Sequence, residues 1–166
     1  MAEKNLHIVR HGKSSWDFED ISDIDRPLSP RGINNAYLMA KKLSEKKVQP
    51  GLLISSPANR AAYTAIIFAR VMKLPYEKIR IEDLIYMGNT EDLLNLLRQQ
   101  DDVFSEILIF GHNPAFTSLA NHLMSGIIEN IPTAGIVSLS FETDSWTDIG
   151  KLTLTRDFFD YPGRYR

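Results

Sequence analysis

The chain has 166 residues, of which 43% are hydrophobic and 24% are charged, and its formal net charge is −2. We expect residues 1–166 to form a single globular domain, because this composition supplies a core while no apolar run approaches the ~20 residues that span a bilayer. The small net charge argues against a broad nucleic-acid-binding surface, and the absence of cysteine excludes disulfide scaffolds, thiolate zinc sites and cysteine nucleophiles.

The apolar runs and their breaks predict strands and helices that alternate along the chain. A short, partly β-branched run such as residues 6–9 is typical of a buried strand. Ser29 followed by Pro30 predicts a helix start, with serine as the N-cap and proline at the first helical position. The predicted helices begin at Ser29, after Pro57, at Thr90 as N-cap, and at Ala115. The predicted strands are residues 6–9, 52–54, 79–81, 106–110, 135–141 and 151–155.

This alternation predicts an α/β fold with a largely parallel central sheet, because strands joined by helical crossovers run parallel. The last two strands, residues 135–141 and 151–155, are candidates for a hairpin. The aromatic tail, residues 158–161, is expected to pack against the body of the protein, with a lid over a substrate site as the alternative.

Polar residues follow three of the predicted strands directly. Arg10 and His11 come after the first strand, Arg60 lies just beyond the second, and His112 follows the strong strand at residues 106–110. In open α/β sheets, ligands bind at the carboxyl ends of the strands. If these three strands are parallel neighbours, the four side chains meet at one edge of the sheet.

Two arginines and two histidines form a set suited to phosphoryl chemistry. Guanidinium groups present planar forks of donors that match phosphate oxygens, a neutral imidazole can be a nucleophile, and a protonated second imidazole can join the arginines. Ser14 and Ser56 could add hydroxyl donors, and Gly12 either lets the backbone approach the phosphate or serves a tight turn. The clustered cations oppose a divalent ion, so no metal is expected. His7 and His122 lie inside a strand and a helix and are expected to be structural.

Three segments resemble the motifs of the histidine phosphatase superfamily, also called the phosphoglycerate mutase-like or RHG-motif family. They are the triplet Arg10-His11-Gly12, the run 55–65 with its Ser-Pro, Arg and Thr-Ala, and the run 111–114. The segment 25–32 is similar to the family's stretch that leads into its first helix. The short length and the Lys13-Ser14-Ser15-Trp16 continuation resemble the small SixA-type branch, which is associated with phosphohistidine phosphatase activity.

The resemblance implies a phosphoglycerate mutase-like fold, which is a three-layer α/β/α sandwich with a mostly parallel sheet. It implies His11 as the phosphorylated nucleophile and Arg10, Arg60 and His112 as the phosphate pocket, with His112 also assisting the attacking water. No metal and no organic cofactor are expected. The implied activity is hydrolysis of a phosphoryl group through a phosphohistidine on His11, with phosphohistidine as the favoured substrate.

The proton donor departs from the family pattern. Many members have a Leu-x-Glu where this chain has a Leu-x-Tyr that ends at Tyr86, so a tyrosine stands in the acid's place. The acidic stretch after His11 could supply a donor instead, with Asp20 as the leading candidate and Asp17 and Asp25 as alternatives. A phosphorylated imidazole leaves without a strong acid at the bond, whereas an alkoxide needs one. We therefore hypothesise that the missing glutamate goes with a nitrogen–phosphorus substrate.

Two other functions remain open at this point. A phosphatase for a small phosphorylated metabolite would use the same pocket, and a phosphate-binding module would use it without catalysis. A phosphoglycerate mutase is disfavoured by the short chain and the missing glutamate. The expected partner is a phosphorylated substrate, which includes a protein that carries phosphohistidine, and neither nucleic acid nor a membrane is expected. No signal-like apolar segment opens the sequence, so we expect a cytoplasmic location.

Overall fold

A computed structural model describes residues 2–166 of the chain, which are built around one six-stranded sheet. The strands are β1 (Glu3–Arg10), β2 (Leu52–Ser55), β3 (Ile79–Ile81), β4 (Glu106–Gly111), β5 (Ile136–Glu142) and β6 (Leu154–Asp160). They lie in the order β3-β2-β4-β1-β5-β6. The first four strands are mutually parallel, β5 runs antiparallel to β1, and β6 runs antiparallel to β5. The predicted mostly parallel sheet is confirmed, and the three strands that precede the polar residues are neighbours.

Helices cover both faces of the sheet. The helices are α1 (Pro30–Glu45), α2 (Asn59–Val71), α3 (Leu84–Met87), α4 (Thr90–Arg98) and α5 (Ala115–Leu123). One apolar core joins α1 and α2 to the sheet, and Phe68 meets Phe110 there edge to face at 5.2 Å between ring centroids. A second core joins α3, α4 and α5 to the opposite face around Phe116 and Trp146. The three-layer sandwich is therefore confirmed. No helix within residues 2–166 is long and apolar enough to traverse a bilayer.

The first residues of α1 and α4 show how well the N-cap residues could be predicted from the sequence. The start of α1 is as predicted, because the Ser29 hydroxyl accepts a hydrogen bond from the Gly32 N–H at 3.0 Å. For α4 the predicted N-cap, Thr90, is wrong by one position. The Asn89 side chain accepts from the Asp92 N–H at 2.9 Å, and the Asp92 carboxylate accepts from the Asn89 N–H at 3.0 Å. Asparagine caps at least as well as threonine, and this reciprocal pair decides the boundary.

The last strand is displaced from its prediction. Residues 151–153 form a turn, and β6 begins at Leu154. The Thr153 hydroxyl donates to the carbonyl oxygens of Asp148 and Gly150 at 2.9 and 3.2 Å, which holds these residues in the turn. The antiparallel pairing of β5 with β6 confirms the hairpin. Residues 158–160 of the aromatic tail belong to this edge strand, and Phe159 packs against the core, as expected for a tail that packs against the body of the protein.

Candidate active site

His11 directly follows β1, and its buried ring is oriented by the backbone. Its Nδ1 lies 2.6 Å from the Gly12 carbonyl oxygen, so Nδ1 carries the proton and donates it, and Nε2 keeps a free lone pair. Burial lowers the pKa of His11 to about 3 against the hydrogen bond to Gly12, and the charges of His112, Arg60 and Arg10 act in the same direction as burial. The imidazole is therefore neutral at physiological pH, which is the form that can attack phosphorus.

The turn that carries His11 packs closely on the two helices of one face. A Cβ on Gly12 would lie 2.7 Å from the Gly32 carbonyl oxygen in α1, so glycine is required for this approach of two backbones. The Gly12 N–H donates to the buried Thr64 hydroxyl at 3.1 Å, and that hydroxyl donates to the Arg60 carbonyl oxygen at 2.7 Å. The position of His11 is thereby tied to the helix turn that carries Arg60.

Arg10, the last residue of β1, is held by the segment that leads into β5. Its Nη1 donates to the Ile131 carbonyl oxygen at 2.8 Å. The Ala134 N–H lies 3.1 and 3.0 Å from the carbonyl oxygens of Arg10 and His11. Ala134 has a φ of 62°, a left-handed conformation that alanine keeps only where its surroundings impose it. Burial lowers the pKa of Arg10, and the guanidinium remains cationic.

Arg60 is buried in the first turn of α2 and is paired with Asp23. Its Nη1 donates to the Asp23 carbonyl oxygen at 2.8 Å, and its Nη2 donates to Asp23 Oδ2 at 3.0 Å. The Tyr86 hydroxyl donates to the same carboxylate oxygen at 2.5 Å. The hydrogen bond from Tyr86, followed by that from Arg60, lowers the pKa of Asp23. The carboxylate is therefore ionised at neutral pH, where it orients Arg60 and has no proton to give.

His112 follows β4 and faces His11. The two ring centroids are 5.0 Å apart, and His112 Nε2 is 2.8 Å from the Ser56 hydroxyl oxygen. The Tyr86 ring lies edge-on to His112 at 5.5 Å. Burial, followed by the charge of Arg60, lowers the pKa of His112 to about 4. His112 is therefore neutral at pH 7, and the negative charge of a phosphoryl group would raise its pKa and favour the protonated form that is expected from the sequence around the phosphoryl oxygens.

The four predicted side chains are thus brought together at the carboxyl ends of β1, β2 and β4. The two predicted hydroxyl donors lie differently. Ser56 contacts His112, and its oxygen also accepts from the Ala58 N–H at 3.1 Å. Ser14 is buried with its backbone bridged to Leu28, and no hydrogen bond within residues 2–166 joins its hydroxyl to the four side chains.

The carboxylate in the site is Asp23, which sequence reasoning missed. Asp20 is exposed in the preceding loop, and no hydrogen bond among residues 2–166 links it to the site, so its position does not support a role as the acid. Asp25 accepts instead from the Ser22 hydroxyl at 2.8 Å. The spacing does not distinguish Asp23 from the other acids of this stretch, because the path of the loop over α2 decides which one reaches Arg60.

The free energy of unfolding is expected to fall as the pH is lowered from 7 to 4. His11 and His112 have native pKa values of about 3 and about 4, against 6.5 in the unfolded chain. Below pH 6.5 the unfolded state therefore binds more protons than the native state. The contribution of the two neutral histidines to the free energy of unfolding is fully present above pH 6.5. It is lost as the pH falls from 6.5 to the native pKa values, at up to about 1.4 kcal/mol per pH unit for each histidine.

Urea denaturation at several pH values measures this loss in the wild type, in His112→Gln and in a control. The control is His122→Gln, which changes an exposed histidine of α5 outside the site. The His112→Gln curve should be shallower between pH 6.5 and 4, and the control should parallel the wild type. If all three curves are parallel, the lowered pKa of His112 is contradicted.

Comparisons with known proteins identify the family and the fold of this chain. A sequence model of the histidine phosphatase superfamily (branch 1) matches residues 6–101. An uncharacterized chloroplastic protein of Arabidopsis thaliana is 30% identical over 157 residues, which cover 87% of this chain and 70% of that protein. An uncharacterized protein of Mycobacterium tuberculosis is 28% identical over 151 residues, which cover 85% and 91%. The solved structure of the protein histidine phosphatase SixA complexed with tungstate has a TM-score of 0.81 at 22% identity, covering 98% of this chain and 99% of that one. The expected phosphoglycerate mutase-like fold is confirmed.

Proposed function

The chain belongs to the histidine phosphatase superfamily, and from this premise we propose that it is a metal-independent phosphatase that acts on phosphohistidine through a phosphoryl group on His11. Family membership supports phosphatase activity. The observation that carries the proposal is a neutral imidazole with a free Nε2, set beside two guanidinium groups and a second imidazole. The cytoplasmic location, the single domain and the lack of a cofactor are parts of the same proposal.

The reaction proceeds in two displacements on phosphorus. His11 Nε2 attacks in line, the bond from Nε2 to phosphorus forms, and the bond to the leaving group breaks. The equatorial oxygens are stabilised by three groups, Arg10, Arg60 and His112. Binding of the anion protonates His112, whereas the two guanidinium groups are already cationic. The Gly12 carbonyl oxygen, which accepts the hydrogen bond from His11 Nδ1–H, stabilises the positive charge that develops on the ring. Water then attacks phosphorus while His112 still holds the phosphoryl oxygens, and the bond from phosphorus to His11 Nε2 breaks. His11 departs as a neutral imidazole, and the inorganic phosphate leaves with the protons of the water.

The protonation state of the site favours a nitrogen–phosphorus substrate. Asp23 is held ionised by Tyr86 and Arg60, so it does not protonate a departing alkoxide at neutral pH. A phosphorylated imidazole that is protonated on its other nitrogen departs as neutral imidazole and needs no such donor. This supports phosphohistidine over phosphate monoesters as the substrate.

Exposed apolar side chains on two segments that meet at Asp23 support a substrate carried by a protein. Trp16, Phe18 and Met87 are 74%, 54% and 84% exposed. The hydrogen bond from Tyr86 to Asp23 joins α3, which carries Met87, to the loop that carries the other two. Large apolar side chains exposed around a site are typical of surfaces that contact another protein. The SixA structure of the same fold is named a protein histidine phosphatase, which supports the same substrate class.

A phosphatase for a small metabolite is the second candidate, and one pocket favours it. The pocket has a volume of about 420 Å³ and is lined by the cationic residues Lys13, Arg31 and Arg166. It includes Thr133, which precedes the Ala134 N–H that contacts the backbone of His11. Cations so near the phosphate site suit a small substrate with a second anionic group.

We expect kcat/KM on a phosphohistidine peptide to exceed that on the same peptide with phosphoserine by at least about 100-fold, because the ionised Asp23 does not protonate a departing alkoxide. Phosphate release is measured without metal and with EDTA. His11→Ala serves as the blank for spontaneous hydrolysis of phosphohistidine. Comparable values on the two peptides contradict the substrate assignment. A small diphosphorylated or phosphocarboxylate metabolite that surpasses both favours the second candidate.

A further inference from the structure

A second cluster of chemically capable side chains lies on the sheet, away from His11. Glu106 of β4, His7 of β1 and Ser138 of β5 stand on three adjacent strands, and His7 is the direct cross-strand partner of Ser138. They line a cleft of about 580 Å³ beyond the C-terminal end of α1. His7 precedes His11 by four positions of extended chain, which is about 13 Å, so the cluster is separate from the phosphate site.

The three side chains form a continuous hydrogen-bonded chain. His7 Nε2 is 2.7 Å from Glu106 Oε2, and His7 Nδ1 is 2.7 Å from the Ser138 hydroxyl oxygen. The other carboxylate oxygen, Oε1, accepts from the Gln49 N–H at 2.9 Å, so Glu106 is fixed at both oxygens. With the imidazole proton on Nε2, the lone pair of Nδ1 faces the hydroxyl. A carboxylate, an imidazole and a hydroxyl in this order are the arrangement that activates a serine nucleophile.

A cation borders the same cleft beside the hydroxyl. Phe158 of β6 is the direct cross-strand partner of Ser138 on its other side, and Lys46 Nζ lies 3.3 Å from the centroid of the Phe158 ring. Side chains paired in this way have Cβ atoms about 5 Å apart, and Lys46, Phe158 and Ser138 all line the cleft. An ammonium group there can stabilise the oxyanion that forms when a carbonyl is attacked. His7 is buried, whereas Ser138 is only half-buried and opens on the cleft.

We propose that Ser138, His7 and Glu106 form a second site that hydrolyses small carboxylic esters. The Ser138 oxygen bonds the carbonyl carbon while its proton passes to His7 Nδ1, and Glu106 stabilises the resulting imidazolium. The bond to the alcohol oxygen breaks, and the alcohol leaves with the proton from Nδ1. Water then adds to the acyl carbon and gives a proton to Nδ1. The carboxylic acid is released as the Ser138 oxygen departs and takes that proton back.

A fluorophosphonate probe, which phosphonylates activated serines with loss of fluoride, tests this site. The adduct is located by peptide mass spectrometry. We expect it on Ser138 in the wild type and in His11→Ala, and we expect none at that position in Ser138→Ala. His7→Gln should slow labelling at least about 100-fold by removing the base. Ser140→Ala, which alters a neighbouring serine on the same face of β5, is the matched control and should label like the wild type.

Hydrolysis of p-nitrophenyl acetate is the second measurement and should change in the same order across the variants. A cooperative urea transition shows that each variant is folded. If His7→Gln shows no cooperative transition, Glu106→Gln is used in its place. Absence of an adduct on Ser138 in the wild type overturns the proposal. Labelling that is equally fast in the wild type and in a folded His7→Gln or Glu106→Gln variant overturns it as well. The proposal is independent of the phosphatase function, since neither measurement uses a phosphate ester.

Discussion

His11→Ala is expected to lower the rate of phosphate release at least about 10⁴-fold, because the substitution removes the protein atom that forms the covalent bond to phosphorus in the proposed reaction. Arg10, Arg60 and His112 remain, so the variant should still bind an inorganic anion such as tungstate. The measurement is kcat on p-nitrophenyl phosphate with EDTA present, together with the Kd for tungstate. The matched control, His122→Ala, should keep the wild-type rate. A His11→Ala protein with substantial activity would end the covalent scheme.

Arg60→Ala should lower kcat by about 10²–10³-fold, since the guanidinium group stabilises charge on the phosphoryl oxygens in the transition state. Arg60→Lys should recover only part of the rate, because an ammonium group lacks the planar fork and cannot reproduce the two bonds to Asp23. The loss should fall mainly on kcat, with a smaller change in KM, as expected for an interaction that strengthens in the transition state.

The control for Arg60 is Arg70→Ala in the same helix. The Arg70 guanidinium donates to the hydroxyls of Tyr37 and Tyr76 on the exposed surface, at 2.6 and 3.2 Å. It therefore tests the loss of an arginine from α2 without change at the phosphate site. If Arg60→Ala is no slower than Arg70→Ala, the assigned role of Arg60 is wrong.

The convergence of the principal residues could be predicted from sequence because strand ends are visible in it. Short apolar runs stop at Val9, Ile54 and Phe110, and polar residues follow each of them. The parallel register places Val9 opposite Phe110 and Ile54 opposite Ile109, so the three strands end at nearly the same level. Only the adjacency of the strands had to be assumed.

The supporting contacts could not be predicted, because they depend on loop paths and burial. Asp23 reaches Arg60 only through the course of its loop over α2. Ala134 takes a left-handed conformation that its sequence neighbours do not require, and Thr64 is one of several small residues in a helix. The lowered pKa of His112, about 4, could not be predicted either, because it follows from burial and the pattern of residue types carries no measure of burial.

The central claim is tested most directly by rapid base quench of the wild type during turnover of a labelled phosphohistidine peptide, followed by mapping of the protein-bound phosphate. The predicted result is acid-labile, base-stable phosphate on Nε2 of His11, because Nδ1 is committed to the Gly12 carbonyl. Phosphate on any other residue, or labelling of the wild type no greater than that of His11→Ala, contradicts it.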